Sequence, residues 1–384
     1  MSNSVDLKLE LWLANSGSAV LFSFLVLYLK EVGLSEFQIA MLSLSYSISM
    51  ICSNALFGRL TDSIGPRPFL VLGLFLSAIT SYIYVMADGF NSFFLMRMIH
   101  GIALGMYPAS ITAVASGRGT KLGSLSSFGS LGWATGSIIA GFVAQYTGLQ
   151  NLFLLSFSMF FVSFLLSVVF KSGASAVVEK KEDKKKFGKA LRANWKIYLM
   201  ASIRHGTANS IWIYWALFLT QDIGLSTSQV GWIQLTNTLT QFFVMGKVGD
   251  RFNPLAMFIA GNFLSAMTFF SFTLASNFWQ MLLTQMMLGV SWAFLYVGGL
   301  RLVEESGKTF DGVGTSTGLY NSSFSVAQAI GPILAIYFFD QSHDYTLAMK
   351  MAALITFSFI SIFTLDALKT IRANLPMKHN IPAE

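Results

Sequence analysis

Long apolar runs alternate with short polar segments along the whole chain. The runs lie at about 11–29, 38–57, 68–87, 91–115, 123–146, 151–170, 197–219, 228–246, 254–275, 279–300, 313–338 and 346–368. Each run is close to the roughly 20 residues that a helix needs to cross the hydrocarbon core of a bilayer. The pattern therefore predicts an all-α integral membrane protein with twelve transmembrane helices and short loops.

The composition agrees with this pattern and excludes several other classes of protein. Of the 384 residues, 54% are hydrophobic and 11% are charged, whereas a soluble globular chain is about 25% charged. Cys52 is the only cysteine and the four histidines are scattered, so neither a disulfide framework nor a metal site is expected. The net charge of +7 falls in short clusters between the apolar runs, which argues against nucleic-acid binding. No Walker-type loop is present, so ATP-driven pumping is not expected either.

Lysine and arginine are distributed unevenly between the two sides of the predicted membrane. The tails and the even-numbered loops carry nearly all of them, and the opposite side has only Lys30 and Lys350. Because cytoplasmic loops are enriched in basic residues, both termini are predicted to be cytoplasmic in a multi-pass plasma-membrane protein. The Lys-rich segment 171–196 is predicted to be a cytoplasmic linker between two six-helix bundles, at 1–170 and 197–384.

The chain also repeats itself at a spacing near 188 residues. The segment Gly58 to Asp62 (GRLTD) follows the second run, and Gly246 to Asp250 (GKVGD) follows the eighth. Gly101 in the fourth run corresponds in the same way to Gly289 in the tenth. The repeat predicts two homologous bundles related by a pseudo-twofold axis along the membrane normal, with a cavity between them.

The segment GRLTDSIGPRP, from Gly58 to Pro68, resembles the signature loop between the second and third helices of the major facilitator superfamily of secondary transporters. Ser63 and Pro66 stand where this family usually has basic residues. In such families the loop latches the arrangement that is closed to the cytoplasm. The resemblance therefore implies gating roles for residues of this loop and of its second copy, namely Gly58, Arg59, Asp62, Gly65, Arg67, Gly246, Asp250 and Arg251.

The fourth run contains an arginine well inside the predicted membrane. Arg97 begins the pattern R-x(3)-G-x(3)-G-x(2)-P, which resembles the fourth-helix motif of the family and implies a role in proton coupling or substrate binding. An arginine at a helix centre costs at least about 2.5 kcal/mol, so it normally faces a wet cavity or a partner. His100 lies on the same helix face. The alternative is that Arg97 only bonds carbonyl groups of neighbouring helices.

Other polar side chains inside the apolar runs are further candidates for the substrate pathway. Amides in a membrane either join helices or line a pathway, and both interpretations remain open here. Arg204 has the further alternative of extending toward the headgroups. The candidates are Arg204, His205, Asn209 and Tyr214 in the seventh run, Gln234 and Asn237 in the eighth, Gln285 and Tyr296 in the tenth, and Asn321 in the eleventh.

Small residues in the fifth run resemble a motif associated with family members that exchange drugs for protons. Ser137 departs from it, because it stands where the motif has proline. Small residues at these steps also permit close helix packing, which is a purely structural explanation. The positions with a predicted packing role are Gly123, Gly132, Gly136, Gly141, Gly331 and Pro332.

These observations predict a secondary transporter that works by alternating access, rather than an enzyme. The first expectation is export of small amphipathic organic compounds by a monomer that is surrounded by membrane lipid. No cofactor is expected, and a proton is the coupling ion to consider. No carboxylate falls in the middle of a run, so proton coupling would need His100, His205 or a carboxylate near a helix end, and facilitated diffusion stays open. The alternatives are transport of organic anions, of sugars or of nucleosides, and a non-transporting membrane sensor or scaffold.

Overall fold

The computed structural model describes residues 4–170, 185–212, 215, 218–342 and 344–374. This part of the chain forms twelve long helices, which confirms the number predicted from the apolar runs. They are α1 (Val5–Glu31), α2 (Glu36–Ile64), α3 (Pro66–Ile83), α4 (Gly89–Gly117), α5 (Leu122–Thr147), α6 (Asn151–Val169), α7 (Lys186–Trp212), α8 (Thr227–Lys247), α9 (Pro254–Phe272), α10 (Phe278–Lys308), α11 (Val313–Ser342) and α12 (Tyr345–Asn374). A 3₁₀ turn, Tyr84–Met86, continues α3.

Within these described ranges, nine helices contain a stretch that is long and apolar enough to cross a membrane. The other three are α7, α8 and α11, which carry many polar side chains. In α11, for example, Thr315, Ser316 and Ser325 are buried inside the protein. Polar helices of this kind cross a bilayer where other helices or water cover their polar faces. This agrees with the packing of α8 on α5 and of α11 on α2 in the opposite half, whereas α7 is covered by α11 and α12 of its own half.

The six helices of the first half and the six of the second pack in the same order. In the first half, α1 packs on α5 and α6, α2 on α4, and α3 on α4 and α6. Each pair recurs in the second half between helices numbered six higher, for example α7 on α11 and α9 on α12. The halves meet where α2 packs on α11 and α5 packs on α8. This arrangement agrees with the internal repeat and with two bundles related by a pseudo-twofold axis.

The start of α7 differs from the prediction, because the helix begins at Lys186 and not at residue 197. The second part of the predicted linker is therefore helical. Ala190 and Asn194 are buried, and the Lys186 ammonium donates a hydrogen bond to the carbonyl oxygen of Asp311 at 2.8 Å. Packing against the turn between α10 and α11 thus holds a basic segment in a helix. The first part of the linker, 171–184, lies outside the described residues.

Candidate functional site

A carboxylate joins α2 to α11 at the membrane side where α1 begins and α12 ends, which we call the termini side. Asp62 accepts hydrogen bonds from the backbone N–H groups of Gly314 at 2.8 Å and Thr315 at 2.7 Å, and also from the Thr315 hydroxyl. Both N–H groups belong to the first turn of α11, where they have no partner within the helix. The helix dipole adds to this attraction for a negative charge.

The second copy of the loop makes the equivalent contact between α8 and α5. Asp250 accepts hydrogen bonds from the backbone N–H groups of Gly123 at 2.8 Å and Ser124 at 2.9 Å, in the first turn of α5. The two predicted gating carboxylates thus hold the start of a helix in the opposite half.

The other predicted gating residues do not join the halves through ion pairs. Gly65 has a φ of 107°, a left-handed conformation that favours glycine, in the turn between α2 and α3. Within the described ranges, Arg59, Arg67 and Arg251 form no ion pair with any carboxylate. Asp62 and Asp250 therefore make the charged contacts between the halves at these loops.

Glycines allow the backbones of the two halves to touch beside these carboxylates. A Cβ atom at Gly58 would lie 2.5 Å from the carbonyl oxygen of Gly314, and one at Gly318 would lie 2.4 Å from the carbonyl oxygen of Asn54. At the other contact, a Cβ atom at Gly123 would lie 2.8 Å from the carbonyl oxygen of Met245. Any larger side chain at these positions would push the halves apart.

Gly246 is less tightly enclosed than these glycines. A Cβ atom there would lie 3.3 Å from the Ser127 hydroxyl oxygen, a contact that a small shift of the serine side chain would relieve.

A third contact, which the sequence analysis missed, lies between α4 and α10. The Ser116 hydroxyl donates a hydrogen bond to the Glu304 carboxylate at 2.5 Å, and Lys308 pairs with the same carboxylate. In the described part of the chain, hydrogen bonds between the halves occur from the termini-side ends of the helices to about their middle. Near the middle, Ser322 of α11 donates to the carbonyl oxygen of Ile51 of α2 at 3.1 Å. The structure is therefore the arrangement that is joined on the termini side.

Arg97 lies at the junction of α1, α2 and α4 among aromatic rings. Its guanidinium carbon is 4.0 Å from the ring centre of Tyr46 and 5.3 Å from that of Phe22. Trp133 of α5, which is exposed, lies beside Phe22 with ring centres 6.2 Å apart. Arg97 donates no side-chain hydrogen bond to a carbonyl group among the described residues. It is 4% exposed.

His100 points into the first bundle rather than toward the second half. It is fully buried, and its ring lies near those of Tyr46, Tyr84 and Phe160 at centre distances of 6.3, 6.0 and 6.2 Å. His100 is one turn after Arg97, and its ring lies against Tyr46, the same ring on which the Arg97 guanidinium stacks.

In the second bundle, Arg204 is enclosed by α9 and α10 and is 2% exposed. Its Nε donates a hydrogen bond to the Ser265 hydroxyl at 2.8 Å, and its guanidinium lies over the rings of Phe269 and Trp292 at 5.3 and 5.2 Å. The alternative that Arg204 extends toward the headgroups is therefore wrong, because side-chain packing directs it inward.

Aromatic rings also surround the remaining candidates of the second bundle. His205 lies 5.2 Å from the ring centres of both Trp292 and Phe324, and Tyr296 stacks on Trp292 at 5.5 Å. Asn209 donates its side-chain amide hydrogen to the His205 carbonyl oxygen at 2.7 Å. The other three candidates are not enclosed in this aromatic cluster by any described contact. Gln234 is exposed, Asn321 is half-buried, and Tyr214 lies outside the described residues.

Two amide side chains of α8, Asn237 and Gln241, take part in a chain of hydrogen bonds across three helices. Asn237 donates to the Gln285 amide oxygen at 2.8 Å, and Gln241 donates to Asn237. Ser130 of α5 donates to the Gln241 oxygen at 3.3 Å. Both Asn237 and Gln285 are buried, so in this arrangement these two candidates join helices.

The charges inside the two bundles are basic. Arg97 and Arg204 form no ion pair among the described residues. Glu10 is buried, but it lies close to the start of α1 on the termini side. Within the described ranges, no cluster of three metal-ligating side chains is present. The arrangement suits an organic ligand held by aromatic rings, with a positive charge nearby.

The small residues of α5 pack against α1. A Cβ atom at Gly132 would lie 2.4 Å from the carbonyl oxygen of Trp12, and one at Gly136 would lie 2.4 Å from that of Ser16. In the second half, a Cβ atom at Gly331 would similarly lie 2.3 Å from the Asn209 Cβ. The side chain of Pro332 is not described.

Gly141 differs from the other glycines of α5, because a Cβ atom there would meet nothing within 4 Å. Ala140, four residues after Gly136, continues the packed face, and Gly141 lies about 100° farther around the helix.

This difference predicts different stabilities for two matched variants. Gly136→Ala should lower the melting temperature of the purified protein, because overpacking typically costs about 1–3 kcal/mol. Gly141→Ala should leave it unchanged or raise it slightly, since alanine has the better helix propensity. Thermal unfolding followed by tryptophan fluorescence checks both variants, and equal effects would contradict the packing described above.

Comparisons with known proteins agree with the fold. The family model described as Major Facilitator Superfamily matches residues 11–220 and 197–379. The chain is 20% identical over 360 residues to the quinolone resistance protein NorA of Staphylococcus aureus (strain COL), covering 87% of this chain and 89% of that protein. It is 24% identical over 311 residues to the multi-drug resistance efflux pump PmrA of Streptococcus pneumoniae (strain TIGR4 serotype 4), covering 75% and 77%.

A solved structure shows the same fold. The crystal structure of the human organic anion transporter MFSD10 (TETRAN) matches with a TM-score of 0.76 and 15% identity, over 93% of this chain and 98% of that chain. The twelve helices, the repeated packing of the two bundles and the family match over most of the sequence lead to one conclusion. The chain belongs to the major facilitator superfamily, whose members are multi-pass membrane transporters and not enzymes.

Proposed function

We propose that this protein exports small amphipathic organic compounds across the plasma membrane, with both termini in the cytoplasm. One observation carries the proposal: each half holds a cluster of aromatic rings at the level of its buried arginine, with Phe22 and Tyr46 at Arg97 and with Trp292 at Arg204. Aromatic rings bind the apolar part of a ligand with little specificity for its shape. The names of two relatives, a quinolone resistance protein and a multi-drug efflux pump, favour the same substrate class.

The proposed mechanism is alternating access between two arrangements of the bundles. In the arrangement described above, the termini side is joined by Asp62, Asp250 and the contact between Ser116 and Glu304. To take up substrate from the cytoplasm, these contacts would break and the bundles would rock about the central site. Proton antiport is the coupling that we propose, and a carboxylate near a helix end would carry the proton, because the described helices hold none at their centres.

A second candidate function is transport of organic anions. The observation that favours it is the pair of buried arginines without a carboxylate partner. A guanidinium group in a site of low polarity binds a carboxylate or sulfonate strongly. The two functions differ in the charge of the substrate that they require.

Transport by the purified protein in liposomes tests both functions. The panel would hold a fluorescent quinolone, a lipophilic cation, a fluorescent organic anion, a sugar and a nucleoside, each measured with and without a pH gradient. We expect saturable transport of the amphipathic compounds that a pH gradient accelerates, and a loss of at least about tenfold in Arg97→Gln. The exposed pair Lys196 and Asp366 offers the control Lys196→Gln, which should transport normally.

The other outcomes are equally informative. Transport of the organic anion alone would support the second candidate and exclude the first. Transport of the sugar or nucleoside alone would exclude both. Saturable transport that ignores the pH gradient would exclude proton antiport. No flux of any solute above that of protein-free liposomes would favour a sensor or scaffold.

A further inference from the structure

Three side chains inside the first bundle have polar atoms without a hydrogen-bond partner. They are Nη1 of Arg97, both ring nitrogens of His100 and the hydroxyl oxygen of Tyr84. His100 and Tyr84 are 0% exposed, so these atoms are not hydrated from the surface. Buried polar atoms in proteins are nearly always bonded, and several unpaired ones in one place indicate a missing ligand, either water or an ion.

These three side chains are neighbours. The rings of His100 and Tyr84 have centres 6.0 Å apart. Arg97 lies one helical turn before His100, and its guanidinium stacks on Tyr46, whose ring in turn contacts His100. The Arg97 guanidinium also lies near His100 and within reach of the Tyr84 hydroxyl oxygen, which leaves the O–H of Tyr84 free to donate. The three side chains therefore form one cluster between α2, α4 and the end of α3.

The charge at this position is positive and uncompensated. Arg97 has no carboxylate partner within the described ranges, and the surrounding side chains are the aromatic rings of Phe93, Phe153 and Phe160. A buried charge without a partner strongly destabilises the folded state. Water would satisfy hydrogen bonds but would leave the charge unbalanced, whereas an anion would do both.

We propose that Arg97, His100 and Tyr84 bind one small monovalent anion, and that chloride is the ligand. A halide can accept hydrogen bonds from Nη1 of Arg97, from the Tyr84 hydroxyl and from the one ring N–H group of a neutral histidine. The edges of the aromatic rings, which are electropositive, complete a favourable enclosure. Because His100 and Tyr84 are completely buried, the site excludes an organic anion of substrate size.

The second bundle shows that a buried arginine alone does not make such a site. Arg204 is bonded through Nε to Ser265. Its neighbour His205 is the next residue and therefore projects about 100° away around the helix. Both side chains lie against Trp292, but the buried tyrosine beside them differs from Tyr84, because the Tyr320 hydroxyl donates a hydrogen bond to the Leu295 carbonyl oxygen at 3.2 Å. We therefore assign the anion site to the first bundle only.

The melting temperature of the purified full-length protein in detergent tests this site without requiring transport. Chloride would be titrated against gluconate at constant ionic strength, with bromide as a second halide. We expect a saturable rise in melting temperature, because a ligand that binds only the folded state stabilises it. In Tyr84→Phe the half-saturating chloride concentration should rise about tenfold, as expected for one lost hydrogen bond, and in Arg97→Gln the saturable rise should disappear.

Tyr107→Phe is the matched control. Tyr107 is buried in the same bundle, and its hydroxyl lies 3.5 Å from the Asn15 amide oxygen, so its removal should not change the half-saturating concentration. No saturable halide effect on the parent protein, or the same half-saturation in Tyr84→Phe as in the parent, would overturn the proposal. Should Arg97→Gln fail to fold, the Tyr84→Phe result decides alone.

Discussion

Replacing Asp62 and Asp250 together by asparagine is expected to open the termini side of the protein. Each carboxylate accepts two backbone N–H groups at the start of a helix in the opposite half. Hydrogen bonds to a charged group contribute about 1.5–3 kcal/mol each, and asparagine keeps the size of the side chain but loses its charge. A change of about 1.4 kcal/mol already shifts an equilibrium tenfold, so the double variant should shift it by at least about 100-fold.

Cysteine labelling measures this opening directly. Ser127 of α5 is 2% exposed and lies beside Gly246 of α8, so Ser127→Cys in a Cys52→Ser background reports on the separation of these helices. We expect maleimide to label this position at least about 100-fold faster in the double variant than in the parent. The single variants should give intermediate rates, because the two contacts act in parallel.

Asp6→Asn is the control for the loss of a carboxylate at the same membrane side. Asp6 pairs with Arg118 at 2.7 Å, and both residues belong to the first half, so this pair does not join the bundles. Its labelling rate should match that of the parent. An unchanged rate in the double variant would show that Asp62 and Asp250 do not hold the termini side closed.

Gly318→Ala is expected to reduce transport by at least about tenfold. The added Cβ atom would lie 2.4 Å from the carbonyl oxygen of Asn54 and 2.9 Å from the Cα atom of Gly58. Both contacts are with backbone atoms, which cannot move aside as a flexible side chain can, so α2 and α11 would have to separate. Overpacking costs about 1–3 kcal/mol. This cost destabilises only the arrangement that is joined on the termini side, and transport requires both arrangements.

Transport in liposomes and labelling of Ser127→Cys check this prediction together. Slow transport with fast labelling would show that the variant cannot close its termini side. Gly141→Ala is the matched control, since its Cβ atom meets nothing within 4 Å, and it should transport at the parent rate. Normal transport by Gly318→Ala would mean that the close backbone approach is not needed for the cycle.

The sequence predicted Asp62 and Asp250 as a pair, because each ends a recognisable copy of the same loop, and in the structure both accept hydrogen bonds from the opposite half. It did not identify their partners. The N–H groups at the start of α11 and α5 are backbone atoms, and every helix start exposes such groups, so no residue type distinguishes these two. The contact between Ser116 and Glu304 was missed for a similar reason: a serine near a helix end carries no signal of its own.

For the polar candidates inside the helices, the sequence identified the residues but not the side chains that surround them. Arg97, His100 and Arg204 stood out in the sequence because polar residues are costly in a membrane. Their surroundings were not predictable, since a rotation of tens of degrees decides whether a side chain faces its own bundle or the other half. His100 and Arg204 face the interior of their own bundles, among rings from three other helices for His100 and from two for Arg204.

The sequence by itself determined the number of helices, the membrane character, the repeat and the family. These properties depend on run length, on charge distribution and on spacing along the chain, all of which are local or periodic. Only the tertiary structure decided which side is joined, which helix faces are enclosed and where unpaired donors converge. Those features arise from contacts between residues far apart in the chain, such as Asp62 with Thr315, and helix rotation and packing set them rather than composition.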